Sequence, residues 1–276
     1  MTNTAYYLEH LQQHMTWARR DDNYTASHLL DMEVERKVAK LAYRDFGTSR
    51  KEVEALQLAS DKRLVRAHLI AAREKNEYQF PHLDKLDELL VKTKESFEDI
   101  GTTQEEMDAL WLSATTAKIP ELLAFLREEG RDGHVIDCVP WIEKMLAKTG
   151  LRYEDFQTDE AEISRMWCKC ARVSLLRARD DTTTFLSEWL FAVESSLYHA
   201  KAQPEDIGLP RKEFGEFWLT AAKRHLNELR AKDNLSKSFA FKRLEQTRKR
   251  AKVDYKELGT TRKEVAVLRK EAREGL

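Results

Sequence analysis

Apolar side chains recur along this chain at the spacing of a helix face. Pairs such as Leu86 and Leu90, or Ile142 and Leu146, lie four positions apart with charged residues between them. Residues four apart lie on the same side of a helix, so this pattern is typical of amphipathic helices. The pattern predicts about eleven helices. They span 4–20, 26–44, 50–75, 81–96, 103–129 with a break at Pro120, 134–149, 159–180, 182–201, 210–232, 235–253 and 261–274.

Between these helices a five-residue motif occurs five times. An aromatic residue or proline comes first, an acid third, an apolar residue fourth and, in four copies, glycine fifth. The copies begin 54, 56, 51 and 51 residues apart, which indicates an internally repeated architecture. Their sequences are YRDFG at 43–47, FEDIG at 97–101, YEDFQ at 153–157, PEDIG at 204–208 and YKELG at 255–259.

A helix start signal follows each motif. In the first copy Ser49 precedes Glu52 by three residues, the spacing of a capping box, in which the glutamate reaches back to the N-cap N–H. The fourth copy uses Pro210 before Glu213, because proline lacks an N–H that would be unpaired there. The other pairs are Thr103 with Glu106, Asp159 with Glu162 and Thr261 with Glu264.

The last motif position favours a left-handed backbone. Gly47, Gly101, Gly208 and Gly259 suit this conformation, which costs glycine little. Gln157 stands there in the third copy, so either that turn differs or the position is not strictly left-handed. The acids at the third position could favour the positive end of the next helix. They are Asp45, Asp99, Asp155, Asp206 and Glu257.

Tryptophan fills one slot in the three middle repeats. Trp111, Trp167 and Trp218 each follow the start of their motif by the same interval, and Gln57 and Arg269 take that slot in the first and last repeats. Packing between repeats is one interpretation, and polar end repeats agree with it. An exposed aromatic ladder for a peptide or a nucleic-acid base is the other. Trp141 and Trp189 lie among apolar residues of other helices and are expected in the core.

These patterns predict an all-α protein, a right-handed, α-solenoid-like array of about five helical-hairpin repeats in a single domain spanning 1–276. The low numbers of glycine (9) and proline (5) also argue against a β protein. The predicted parts are an N-terminal helix at 1–25, repeats at 26–80, 81–133, 134–181 and 182–233, and a basic terminal repeat at 234–276.

Composition limits the function classes. Charged residues make up 34% of the chain, and no run of 18 apolar residues occurs, so we expect a cytoplasmic protein without membrane contact. Cys138, Cys168 and Cys170 are an odd number and are expected to be reduced thiols. The sequence has no phosphate loop, dinucleotide fingerprint or serine-nucleophile motif. We therefore expect no catalytic residue and no cofactor.

Two pairs of residues have metal-ligand spacing. His10 and His14 lie four apart on the first helix, but Leu11 replaces the glutamate of the zincin motif and Glu9 lies on another face. His134 and Cys138 have the same spacing and the same lack of a third ligand. We therefore expect no metal.

The positive charge is concentrated near the end of the sequence. Residues 223–276 carry a net charge of +9, whereas the first 222 carry −10. Clustered cations can bind the phosphates of DNA or RNA, although a solvated surface diluted by acids is the simpler interpretation. The candidate partner-binding residues are Lys242, Arg243, Arg248, Lys249, Arg250, Lys252, Arg262 and Lys263.

The leading functional prediction is an interaction or scaffold protein that binds a protein or peptide in a groove, without catalysis. Every repeated residue has a structural explanation, while no single site has a chemical one. The alternative is a nucleic-acid-binding helical repeat that uses the basic region. A helical enzyme with a buried carboxylate or histidine site is a third possibility.

Overall fold

The computed structural model describes residues 4–20, 24–74, 76–128, 135–231 and 237–274. Within these ranges the chain forms eleven α-helices and no strand, which confirms the predicted all-α class. The helices are α1 (Thr4–Ala18), α2 (Thr25–Ala39), α3 (Arg50–Arg73), α4 (Gln79–Thr93), α5 (Gln104–Arg127), α6 (Val135–Thr149), α7 (Glu160–Asp180), α8 (Leu186–Ala200), α9 (Arg211–Arg230), α10 (Lys237–Ala251) and α11 (Arg262–Glu274).

The contacts divide the chain into two compact units, Met1–Lys118 and Ile119–Leu276. In the first unit α1 packs on α2 and α3 packs on α4. In the second unit α7 packs on α8 and α9 packs on α10. These contacts between neighbouring helices fit a helical-repeat array, whose handedness and division into five repeats of one domain stay predictions. No helix in the described ranges is both long and apolar enough to cross a bilayer.

Several predicted boundaries shift for a local reason. The helix before each motif (α2, α4, α6, α8 and α10, here the A helices) has the same length in every repeat and is followed by a left-handed residue, so it stops before the motif. The predicted break at Pro120 is wrong, because α5 continues through it with Ile119 and Leu123 buried on either side. Residues 21–23 and 130–133, which fall between predicted helices, lie outside the described residues. The left-handed residues are Lys40, Lys94, Gly150, Lys201 and Lys252.

The motif forms a short 3-10 turn in its first four copies, for example Tyr43–Phe46. The motif acid caps this turn: Asp45 Oδ2 accepts the Ala42 N–H at 2.7 Å. The acid therefore has a direct bond within its own turn, and its suggested effect at the positive end of the next helix stays a prediction. The equivalent acids accept an N–H from the residue three positions earlier, at Asp99, Asp155, Asp206 and Glu257.

An arginine from one helix binds the hinge of the following repeat, where the hinge is the motif and the start of the next helix. Arg127 donates from Nε to Glu162 Oε1 at 2.7 Å, and from Nη2 to Glu162 Oε2 at 3.0 Å and the Gln157 carbonyl at 3.3 Å. Thr158 Oγ1 donates to the same carboxylate at 2.7 Å. We call this set the arginine clamp. The corresponding arginine–glutamate pairs are Arg19–Glu52, Arg73–Glu106, Arg179–Glu213 and Arg230–Glu264, and each lies within one unit.

The clamp changes the predicted capping box. Half of the box forms, because the Glu162 N–H donates to Asp159 Oδ1 at 2.7 Å. The Glu162 carboxylate accepts from arginine and threonine in place of the N-cap N–H. In the first and last copies a backbone bond from the N-cap residue, Ser49 or Thr261, also lowers the pKa of the glutamate, as the capping box predicts. The bonds from Arg127 and Thr158 lower the pKa of Glu162 to about 2. Arg73 and Thr102 do the same for Glu106.

The tryptophan slot belongs to the core. Trp111, Trp167 and Trp218 are 4%, 4% and 2% exposed, so the packing interpretation is confirmed. The expectation for Trp141 is wrong, because it is 36% exposed on the outer side of α6. Trp189 is only half-buried, and its Nε1 donates to Asp181 Oδ2 at 3.1 Å.

Breaking one clamp should destabilise the protein. We expect Arg127→Met to lower the free energy of unfolding by about 1–2 kcal/mol, because it removes charge-assisted bonds to Glu162 and leaves a turn carbonyl unpaired. Urea unfolding of Arg127→Met, Glu162→Gln and the double variant measures the coupling. Arg152→Met, at an exposed side chain, is the control. If the losses of stability in the two single variants simply add in the double variant, the two side chains are not coupled and the clamp is refuted.

The clamp should also weaken in acid. The folded-state pKa of Glu162 lies below its ordinary value of 4.5, so its stabilisation is present above about pH 4.5 and is lost as pH falls through about 2. The stability difference between the wild type and Arg127→Met should therefore shrink over that interval. A difference that stays constant from pH 7 to pH 2 would contradict this assignment.

The left-handed backbone at the last motif position predicts opposite effects for two substitutions. Gln157 has φ 55°, so the position is left-handed even without glycine. We expect Gln157→Gly to raise the free energy of unfolding by about 0.5–1 kcal/mol and Gly101→Ala to lower it by about 1 kcal/mol. A methyl group on Gly101 would meet no atom within 4 Å, so backbone strain alone is measured. Thermal unfolding should show stability changes of opposite sign for the two variants. Changes of the same sign would refute the prediction.

Candidate functional site

A groove of about 730 Å³, here the groove of the first repeat, is lined by α2, α3 and the motif between them, and by Lys92 of α4 in the second repeat. Its exposed apolar residues are Leu30, 66% exposed on α2, and Leu58, 42% exposed on α3. Buried Leu29 and Val53 form the apolar base. The remaining lining residues are polar or charged: Glu33, Arg36, Tyr43, Arg50, Glu54, Gln57, Asp61 and Lys92.

One wall of the groove is a Glu–Arg–Tyr cluster. Arg36 lies over the ring of Tyr43, with its Cζ 4.4 Å from the ring centre, and pairs with Glu33 at 2.9 Å. Burial opposes ionisation of Glu33, but the bonds from Arg36 and Tyr43 outweigh it and lower the pKa of that carboxyl. Burial, together with Glu33, raises the pKa of Tyr43. The cluster therefore keeps a carboxylate and a guanidinium beside the apolar base.

The other charges of the groove are also paired. Arg50 Nε contacts Glu54 Oε1 at 2.7 Å, and Lys92 Nζ contacts buried Asp61 Oδ2 at 2.6 Å. Gln57 donates to Asp61 Oδ1 at 3.0 Å. These charged groups are paired with one another. The exposed apolar surface of the two leucines is therefore the part of the lining that a binding partner could cover.

The last repeat has a pocket of about 640 Å³ that shares three lining positions with the first groove, at Arg248, Tyr255 and Arg262, and is otherwise lined by Asp254, Lys256, Thr260 and Thr261. Arg248 lies over Tyr255 at 4.6 Å and pairs with Glu245 at 3.1 Å, so the wall of the first groove is reproduced. Lys256 and Arg262 also line this pocket. Relative to the start of the motif, Lys242 and Lys270 stand at the positions that Leu30 and Leu58 occupy in the first repeat.

Three of the eight cations predicted to bind a partner are engaged within the protein. Arg243 pairs with Glu188 at 2.7 Å, Arg248 with Glu245, and Arg250 with Glu194 at 2.6 Å. Arg250 also lies over the rings of Phe191 and Trp218. Arg243 and Arg250 therefore join α10 to α8, whereas Arg248 is held within α10 and against the following motif. The remaining five have exposed side chains: Lys242, Lys249, Lys252, Arg262 and Lys263.

A buried serine, histidine and carboxylate meet in the second unit. Ser187 Oγ lies 2.9 Å from His225 Nε2, and His225 Nδ1 lies 3.3 Å from Glu228 Oε2. Ser187 and His225 are 0% and 2% exposed, and burial lowers the pKa of His225 in spite of Glu228. A substrate cannot reach this hydroxyl. The cluster joins α8 to α9 and gives no support to an enzyme site.

The N-terminal histidines have a third neighbour that sequence spacing missed. Glu35 of α2 lies 3.4 Å from His10 and 3.8 Å from His14, measured from Oε1 to Nδ1 and Nε2. The expected lack of a third ligand beside His10 and His14 is therefore wrong, because packing of α1 on α2 brings in a residue that is distant in the sequence. His134, of the second predicted pair, lies outside the described residues.

The three cysteines do not form a disulfide. The three are free thiols, as expected, and Cys138 and Cys170 are buried. Burial raises the pKa of Cys170 to about 12, so that thiol stays protonated at neutral pH.

The paired arginines of α10 should contribute to stability, unlike an exposed lysine beside them. We expect Arg250→Ala to lower the free energy of unfolding by about 1–2 kcal/mol, through loss of the Glu194 ion pair and of packing on Trp218. The matched change Lys249→Ala should alter it by less than about 0.5 kcal/mol. Urea unfolding of both variants checks this, and equal effects would contradict the internal role.

No family model, curated protein or solved structure matches this chain.

Proposed function

We propose that the protein is a cytoplasmic, non-catalytic interaction protein and that the groove of the first repeat binds a peptide segment of a protein partner. The observation that carries this proposal is the concave, apolar base with two exposed leucines, Leu30 and Leu58, in a groove of about 730 Å³. Surface leucines grouped in a groove and ringed by polar groups are typical of binding sites.

The lining specifies the chemistry of the peptide. Apolar side chains would cover Leu30 and Leu58, since burying both removes the exposed apolar surface from water. Arg50 and Glu54 lie at the edge, 78% and 62% exposed, so residues of either charge on the peptide can pair there. We therefore propose a segment with two or more apolar residues flanked by both acidic and basic residues.

Selection from a random peptide display library tests this function. Enriched peptides should carry that pattern, and Leu30→Asp and Leu58→Asp should each weaken their binding at least tenfold, measured by fluorescence polarisation. Leu112→Asp, at a residue 46% exposed on α5 and outside the groove, is the matched control and should leave affinity unchanged. Peptides that bind equally to the groove variants would refute the proposal.

A nucleic-acid-binding function is the second candidate, and the basic pocket of the last repeat is the observation that favours it. Lys256 and Arg262 line that pocket, and Lys242 replaces the leucine of the first groove. It ranks second because Arg243, Arg248 and Arg250 are already paired with glutamates. A steep fall in affinity for a labelled duplex or single strand with rising salt would support it.

A further inference from the structure

Three possible metal ligands meet between α1 and α2. His10 and His14 lie one turn apart on α1, and Glu35 approaches both from α2. One ligand atom from each residue lies within 4.8 Å of the other two. All three side chains are partly shielded from solvent, His14 most strongly at 12% exposed. The cluster lies wholly within the first unit.

Several polar atoms in this cluster have no hydrogen-bond partner among the described residues. They include the buried atoms Glu35 Oε2 and His14 Nδ1. The neighbouring His28, whose ring centre lies 5.7 Å from that of His14, also has a buried, unpartnered Nδ1. Buried polar atoms are normally satisfied, so the second oxygen of Glu35 points to a partner at this cluster, whereas Nδ1 of His14 lies across the ring from Nε2 and needs a partner of its own.

The spacing of the donor atoms suits a transition-metal ion. Bonds of 2.0–2.2 Å in a tetrahedral arrangement place donors about 3.3–3.6 Å apart. Glu35 Oε1 is 3.4 Å from His10 Nδ1 and 3.8 Å from His14 Nε2, close to this spacing, and the three ligand atoms lie within 4.8 Å of one another, so side-chain rotation would complete the geometry. Two imidazoles and one carboxylate are a donor set that Zn²⁺ accepts, with a fourth position left to water or another ligand.

We propose that His10, His14 and Glu35 bind a divalent transition-metal ion, with Zn²⁺ as the best fit to the donors. The ion would join α1 to the first A helix, independently of the peptide groove. Because it binds ligands that only the packed helices bring together, it would stabilise the folded state of the first unit.

Titration of the metal-stripped full chain tests this site. Calorimetry with Zn²⁺ should show one equivalent bound with a Kd of about 10 µM or lower, and Co²⁺ should give the visible absorption of a four-coordinate site. We expect His14→Ala and Glu35→Gln each to weaken binding at least tenfold. Zn²⁺ should also raise the unfolding temperature of the wild type but not that of these variants.

A second histidine pair supplies the control. His68 and His82 have their Nδ1 atoms 3.0 Å apart, but neither belongs to the group of three ligands. His82→Ala should leave Zn²⁺ affinity unchanged, whereas loss of binding in this variant would place the ion elsewhere and overturn the proposal. Circular dichroism verifies folding, and His10→Ala, at a side chain 36% exposed, serves if His14→Ala is unfolded. Affinity weaker than about 100 µM in the wild type, or unchanged in all ligand variants, also overturns it.

Discussion

The repeated hinges depend on the arginine clamp. A hinge leaves two groups that need partners: the carbonyl of its left-handed residue and the glutamate in the first turn of the following helix. One guanidinium supplies both bonds, as Arg73 does for Gly101 and Glu106. Because Arg73 ends α3 while its hinge lies between α4 and α5, the clamp ties each hinge to the long helix of the preceding repeat. A single exposed ion pair contributes little to stability. In the clamp, however, two N–H groups of one planar guanidinium donate charge-assisted bonds in a fixed geometry.

The fourth hinge shows which parts of this arrangement can be replaced. Leu209 stands where the other hinges have a threonine that donates to the glutamate, and its side chain is fully buried. Pro210 takes the place of the capping side chain. Arg179 still donates to Glu213 at 2.9 Å. Apolar burial therefore substitutes for the hydroxyl and the cap, whereas the arginine and the glutamate are kept in all five hinges.

Features that depend on nearby residues were predictable, and those that depend on packing were not. The helices, the glycines at left-handed positions and the N-cap residues follow from spacings of a few residues. The clamp arginines also repeat, but Arg19 lies closer in sequence to the motif that follows it than Arg127 does. A search for arginine at one fixed distance before the motif therefore misses them, because the number of residues between the arginine and the motif differs among the repeats.

The candidate sites were harder to foresee for the same reason. Glu35 reaches the histidines only because α1 packs on α2, and the glutamates of the hinges were assigned to caps because their arginine partners are distant in the sequence. The basic region was identified by composition, but composition cannot show that Arg243 and Arg250 pair with Glu188 and Glu194. Charge counts give the number of cations, while packing decides how many remain exposed.

Comparison of the first and last repeats shows which residues are shared and which exposed positions vary. Both keep the arginine over the motif tyrosine, Arg36 on Tyr43 and Arg248 on Tyr255, where the middle repeats have leucine in place of that arginine. Around this shared wall the exposed positions differ, with Leu30 in one repeat and Lys242 in the other. These positions make no hinge contact, so they can change from apolar to cationic without cost to the clamp. Under the proposed function, selectivity for a partner would lie at such positions, while the five repeated motifs hold the helices that carry them.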